Sequence, residues 1–226
     1  PKRLLALCGD AMPAPAQSAL AHTRYGSGTF RMNVALSSLP TFTSRPEPGP
    51  HLSAGIIIGP TLDYMADAFD DARRYGWSKA PVVEMLIPST LDDTLAPDGQ
   101  HVASLFCQFV QPELSGGRQW HDYRDTVAQH MINTVDQYAP GFADSVLGYL
   151  ALTPADLEQR FGLTGGDIFH GALVPAQLFS ARPAPGMADY RMPLKGLYLC
   201  GSGAHPGGGV SGIPGHNAAR EILRDL

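Results

Sequence analysis

"GLYLCGSGAHPGGGVSGIPGHNAAREIL", Gly196–Leu223, sets a short apolar run, a cluster of glycines and a helix-like tail end to end. Leu197 to Cys200 reads as a short strand running into Gly201, Ser202 and Gly203, where missing side chains let a ligand approach the backbone closely. Gly207, Gly208 and Gly209 repeat that permission just before a helix expected from about Ser211 to Leu226. Pro214 is tolerated in its first turn, whose N–H groups have no intrahelical partner, and Ala219, Ile222, Leu223 and Leu226 give it one apolar face. The free N–H groups at such a helix start carry about half a positive elementary charge, which suits a phosphate or an atom that becomes negative during a reaction. An anionic, flat or extended ligand is therefore expected against the glycines.

This strand, turn and helix is not a dinucleotide-binding βαβ unit. Gly201-Ser202-Gly203 continues with Ala204, His205 and Pro206, and Gly26-Ser27-Gly28 continues with Thr29, Phe30 and Arg31, so neither reaches a third glycine or alanine where the fingerprint needs it. Neither Ser202 nor Ser211 sits in a G-x-S-x-G elbow. His205 and His216 read as loop and helix-surface residues, since no third ligand shares their neighbourhood, and no metal site is expected.

Outward from this stretch, residues 163 to 195 are irregular and rich in Gly and Pro, a length that marks an interdomain crossing. Upstream the chain reads as α+β, a mixed, largely antiparallel sheet covered by helices. Thr29 to Leu36 alternates strictly, with Phe30, Met32, Val34 and Leu36 on one face. Thr61 caps a helix with apolar positions Leu62, Met65, Ala66 and Phe69, ending at Gly76. Val82 to Ile87 and Val102 to Val110 read as strands joined through the "APDG" turn, hence antiparallel neighbours. Trp120 to Tyr138 steps by three or four as a long core helix, Ser145 to Thr153 reads as a strand, and Thr153-Pro154-Ala155-Asp156 opens a helix that Gly162 stops. Residues 1 to 28 hold turn-formers and carry no assignment.

The 226 residues, 44% hydrophobic, are enough to bury a real core, and the net charge of −5 with scattered Lys and Arg argues against a nucleic-acid partner. No apolar run is long enough to span a bilayer, and the start has too short an apolar region for a secretory signal. Three distant cysteines without a CxxC pair suggest neither zinc nor a redox dithiol, so a cytoplasmic location is expected, with peripheral membrane contact left open. The chain begins at Pro1 rather than Met and carries its most motif-like segment at the far end, so it is expected to be a C-terminal fragment.

"KGLYLCGSGAHPGGGVSGIPGHNAA" resembles the C-terminal flavin-binding signature of the phytoene desaturase-like FAD oxidoreductases, within the wider amine oxidase superfamily. "GDIFHG", "PAQLF", "RP" and "YRMPLKG" extend the resemblance upstream, and "GTFRMNVALSSLP" joins it more loosely. The resemblance implies a lead-in (1–28), a substrate-binding domain (29–190) and a returning segment of the FAD domain (191–226), with the N-terminal GxGxxG part of the same chain missing. It implies that Gly201, Ser202 and Gly203 lie near the FAD pyrophosphate and ribityl chain. Gly208, Gly209, Val210 and Ser211 would aim amides at the flavin edge where charge accumulates on reduction. Phe169 and His170 are candidates to line the substrate cavity, His170 being as readily a packing residue; no catalytic acid or base is assigned. The expected function is hydride transfer between FAD and an apolar small molecule in the longer protein, the fragment itself being inactive and binding FAD weakly or not at all. A non-catalytic binding or assembly module that keeps the fold without the cofactor is the competing expectation.

Overall fold

A computed structural model describes residues 1–26 and 28–226; Ser27, in the lead-in and its Gly26-Ser27-Gly28 stretch, lies outside the described residues. The chain divides into two compact units, Gly28–Arg160 and a second made of residues 1–27 with Phe161–Leu226. The first unit therefore stops thirty residues short of the expected boundary at 190. Residues 161–190 pack instead with the two ends of the chain.

The Gly28–Arg160 unit is a five-stranded sheet, β1 (Gly28–Leu36), β2 (Ile56–Ile58), β3 (Trp77–Leu86), β4 (His101–Val110) and β5 (Val146–Leu152), in the order β2-β3-β4-β1-β5. Every pairing is antiparallel, so the sheet holds no parallel component. β1 buries Phe30, Met32, Val34 and Leu36 completely, the face its alternation predicts. Helix α4 (Trp120–Tyr138) covers that face with Trp120, Val127, Met131 and Val135, and the Trp120 ring lies 6.0 Å from the Phe30 ring. This one-sided core is the main driving force of the unit, because the side chains that do leave water gather here.

Helix α3 (Leu62–Tyr75) starts where expected, with Thr61 Oγ1 accepting from the Tyr64 amide at 3.0 Å. Its buried face is not the expected one. Leu62, Met65 and Phe69 remain partly or wholly exposed, whereas Ala68 and Ala72 are buried, Leu62 being 83% exposed. The reason is close approach: Ser78 Oγ donates to the Ala68 carbonyl at 2.5 Å, and only small side chains leave room for that contact with β3. Between α4 and β5 runs the single turn α5 (Phe142–Ser145), and after β5 comes α6 (Pro154–Phe161). Asp156 accepts from the Thr153 amide at 2.9 Å while Thr153 Oγ1 accepts from the Asp156 amide at 3.2 Å, a reciprocal cap. Arg124 then forks onto the same carboxylate, Nε at 3.2 Å and Nη2 at 2.8 Å, tying α6 to α4.

The second unit contains α1 (Lys2–Cys8) and α2 (Ala14–Ala21), which the turn-formers of the lead-in concealed, and α7 (Ile213–Asp225). Leu20, Met12, Met187 and Met192 form one small core, and Tyr190, Ala204 and Ala218 another. Leu197 to Cys200 does not form the expected strand. It makes one antiparallel bridge, Arg191 with Tyr198, flanked by backbone bonds from Met192 to Leu197 and Leu199 to Tyr190. With no neighbouring strand on its other side, the segment lacks the second ladder that would extend it. In α7 the buried residues are Pro214 and Ala218, while Ala219, Leu223 and Leu226 of the expected apolar face are exposed.

Candidate functional site

The glycine segment is organised by one buried cation. Arg182, 2% exposed, donates from Nε (3.1 Å) and Nη2 (2.6 Å) to the Ser202 carbonyl, from Nη2 to the Phe169 carbonyl (2.6 Å) and from Nη1 to the Gly171 carbonyl (3.5 Å). Four donor contacts to three carbonyls suit a planar fork that a lysine could not reproduce. They join the "DIFHG" loop to the start of the glycine turn. Burial pulls the Arg182 guanidinium down from its ordinary value while the neighbouring Asp167 carboxyl pushes it back up.

Asp167 is itself fully buried. Its Oδ1 accepts from the Phe169 amide at 2.8 Å, and its Oδ2 has no partner among the described residues. Burial raises this carboxyl above the usual range, against the pull of the Phe169 amide. His170 takes a left-handed backbone conformation (φ +57°) and its imidazole is pushed down, by burial first. Sequence reasoning singled out neither Arg182 nor Asp167. Both sit inside quoted family-like pieces, "RP" and "GDIFHG", but nothing in composition or periodicity marks a buried charge in an irregular segment.

Among the residues expected to meet a cofactor, several do lie together. A side chain added at Gly208 would meet Ser202 Oγ at 3.4 Å, and one at Gly203 would meet Pro1 Cδ at 3.3 Å first and the His170 Cβ at 4.0 Å. Gly201, Ser202, Gly203, Phe169, His170 and Gly208 thus share one neighbourhood under Arg182. Gly209, Val210 and Ser211 extend away from it as an exposed arm, Val210 with its side chain entirely in solvent. The backbone amides of Gly208, Gly209, Val210 and Ser211 donate no backbone hydrogen bond among the described residues. Ser211 Oγ accepts from the Ile213 amide at 3.3 Å, occupying one of the free donors at the α7 start. The arm enters α7 through Gly212, whose φ of +71° places it in the left-handed region.

The other end of α7 is fixed by charge. Arg191 forks onto Asp225, Nε at 2.8 Å and Nη2 at 2.9 Å, and Tyr198 donates to the same carboxylate at 2.5 Å. Cavities lie elsewhere: about 320 Å³ beside Thr23, Arg24, Gln177 and Pro183, and, in the sheet unit, about 420 Å³ beside Phe42, Ile56, Ile58 and Tyr138 and about 310 Å³ beside Gln129, Ile132 and Tyr149. The expected site residues line none of these. No group of three or more His, Cys, Asp or Glu side chains is placed to hold a metal ion among the described residues, and no helix among them is long and apolar enough to cross a membrane.

No family model matches the chain. Pyridine nucleotide-disulfide oxidoreductase domain-containing protein 2 of Rattus norvegicus is 48% identical over 208 residues, covering 88% of this chain and 36% of that protein. A limonene dehydrogenase component of Castellaniella defragrans is 29% identical over 141 residues, 60% of this chain and 26% of that protein. A 4,4'-diapophytoene desaturase of Staphylococcus aureus is 29% identical over 140 residues, 59% of this chain and 26% of that protein. The chain resembles the phytoene desaturase-like oxidoreductases. It spans about a third of the length of the curated relatives it matches at 48% identity. The 208 residues aligned with the rat protein exceed either compact unit alone, so that similarity reaches into both.

Proposed function

We propose that this chain supplies a substrate-binding sheet and one wall of the flavin site of an FAD-dependent oxidoreductase acting on a largely apolar small molecule. The observation that carries the reading is the glycine arm: four consecutive amides, Gly208 to Ser211, exposed and unspent, beside a Ser202 whose carbonyl is already consumed by Arg182. Such amides are preorganised donors, and they gain most against an atom that becomes more negative as a reaction proceeds.

The residues present fit FAD. The exposed backbone at Gly208, where an added methyl group would only touch Ser202 Oγ at 3.4 Å, lets a flat or extended group come close. Gly201, Ser202 and Gly203 would hold its phosphate and ribityl portion, and Gly208, Gly209, Val210 and Ser211 its flavin edge. When bound, FAD supplies the hydride-accepting ring. The chain's own part is binding and orientation: Arg182 fixes the distance between the "DIFHG" loop and Ser202, and Phe169 and His170 of that loop would line the substrate cavity. Asp167 and Arg182 hold opposite charges next to the loop, which sets its electrostatics without committing either group to proton transfer. The remaining contacts to FAD belong to polypeptide outside these 226 residues, so the chain alone binds it weakly.

The test is production of the longer protein that contains this chain, followed by its absorbance spectrum after gel filtration. A stoichiometric flavin band that is lost on Gly208→Val supports the reading. A colourless protein that stays colourless on reconstitution with FAD overturns it in favour of a binding or assembly module.

A further inference from the structure

The face of the sheet opposite α4 carries a polar and apolar pattern that the flavin reading leaves unused. Side chains alternate across a strand, so the residues between the buried ones of β1 point to this second face. The strand register places Ile57, Glu84, Phe106, Arg31 and Leu152 in one row across all five strands. The next row is Leu86, Ser104, Asn33 and Leu150. Ile57, Leu86 and Leu150 are exposed by 66%, 52% and 50%, so this is an apolar floor open to solvent. Five strands at about 4.8 Å spacing make it about 19 Å wide.

One cation is built into that floor. Arg31 Nη2 donates to Ser104 Oγ at 2.7 Å, and Ser104 Oγ donates to Asn33 Oδ1 at 3.0 Å. The chain of bonds fixes the guanidinium and leaves its other donors free. No carboxylate lies within ion-pair distance of it among the described residues. The one acid in its row, Glu84, sits two strands away, about 10 Å, and accepts instead from Gln108 Nε2. A half-buried guanidinium held in a fixed direction on an apolar floor, with no counter-ion, is a receptor for a planar anion. Glu84 weighs against a doubly charged phosphate, and Arg31 against a cation.

We propose that this open sheet face binds an apolar ligand bearing one carboxylate, with the carboxylate seated on Arg31 and the apolar body lying over Phe106, Leu86 and Leu150. Arg31 is the specificity-determining residue, and Ser104 and Asn33 are positioning residues. The assignment stands on the sheet unit by itself; it rests on the flavoprotein reading only in calling this ligand the substrate.

Titration of the 226-residue chain with sodium decanoate, by calorimetry and by methyl NMR without flavin, tests it. The expected result is one-to-one binding with a dissociation constant below about 1 mM, with shifts at Leu86, Leu150 and Leu152. Arg31→Gln should weaken binding at least tenfold, Arg31→Lys and Ser104→Ala less, and Lys79→Gln not at all. Decyltrimethylammonium, of equal length and opposite charge, should not compete. Equal decanoate affinity in a folded Arg31→Gln protein overturns the proposal, as does equal binding of the cationic amphiphile. Should Arg31→Gln fail to fold, an unchanged affinity in Ser104→Ala and Arg31→Lys overturns it as well. Absence of decanoate binding, with a dimer that Arg31→Glu dissociates, overturns it in favour of a second copy of the chain on this face. Each of these failures leaves the flavin spectrum of the longer protein untouched, and a colourless longer protein leaves decanoate binding untouched, so the two readings fail separately.

Discussion

The guanidinium of Arg182 donates to the Ser202 carbonyl twice, from Nε at 3.1 Å and from Nη2 at 2.6 Å. This double contact holds an irregular loop and a glycine turn together across twenty residues of chain that contain no regular helix or strand. Arg182→Ala removes the charge-assisted bonds and leaves three carbonyls short of a donor, at a cost of about 3 kcal/mol. Urea unfolding of the chain should show the loss as a lowered midpoint. Arg182→Lys should recover less than half of it, because an ammonium cannot reach carbonyls on both sides of a plane.

Gly208→Val should leave the melting temperature of the chain unchanged, because Gly208 is exposed and its φ is not in the left-handed region. In the longer protein the same change should reduce bound flavin at least tenfold, since the added side chain fills the space beside Ser202 Oγ. Flavin-to-protein absorbance ratios on the purified variants check this split between stability and binding.

Arg191 and Tyr198 hold the Asp225 carboxyl at about 2, below its ordinary 3.8. A carboxyl whose folded value is depressed contributes stability that is complete above its unfolded value and disappears as pH falls through the folded one. Docking of the α7 end should therefore be constant above pH about 5 and weaken progressively toward pH 2. Amide exchange of residues 221–225 across that window measures it. Asp225→Asn should flatten the dependence there.

Cys107 and Cys200 should separate by reactivity. Cys107 is fully buried and burial pushes its thiol far above the usual range, whereas Cys200 is exposed. Iodoacetamide at neutral pH should label Cys200 in the native protein and reach Cys107 only after denaturant is added. Mass spectrometry of timed quenches distinguishes the two.

Elements whose burial follows a simple period were legible from residue order. β1 and α4 lie within a residue of their expected ends, and both bury the side chains their periodicity indicates. Helices whose contacts depend on close approach were legible in extent but not in facing. α3 packs through Ala68 and Ala72, and α7 through Pro214 and Ala218, small residues that a pattern of large apolar side chains passes over. α1 and α2 were hidden because Pro13 and Pro15 read as breakers, although Pro15 falls in the first turn of α2, where proline costs nothing. In the candidate site the glycines declared themselves by composition. Arg182 and Asp167 did not, because a buried charge is recognised by its partners, and those lie up to twenty residues away in irregular chain.

The sheet order has a consequence for synthesis. β1 leaves the ribosome first, yet its two partners are β4 and β5, and the last of them ends at Leu152. Until β4 is made Phe30, Met32, Val34 and Leu36 have no strand beside them, and until α4 follows they have nothing above them. The nascent chain must carry a naked hydrophobic ribbon until β4 and α4 arrive, which makes early β1 a natural client for a holdase and a poor place to pause the ribosome.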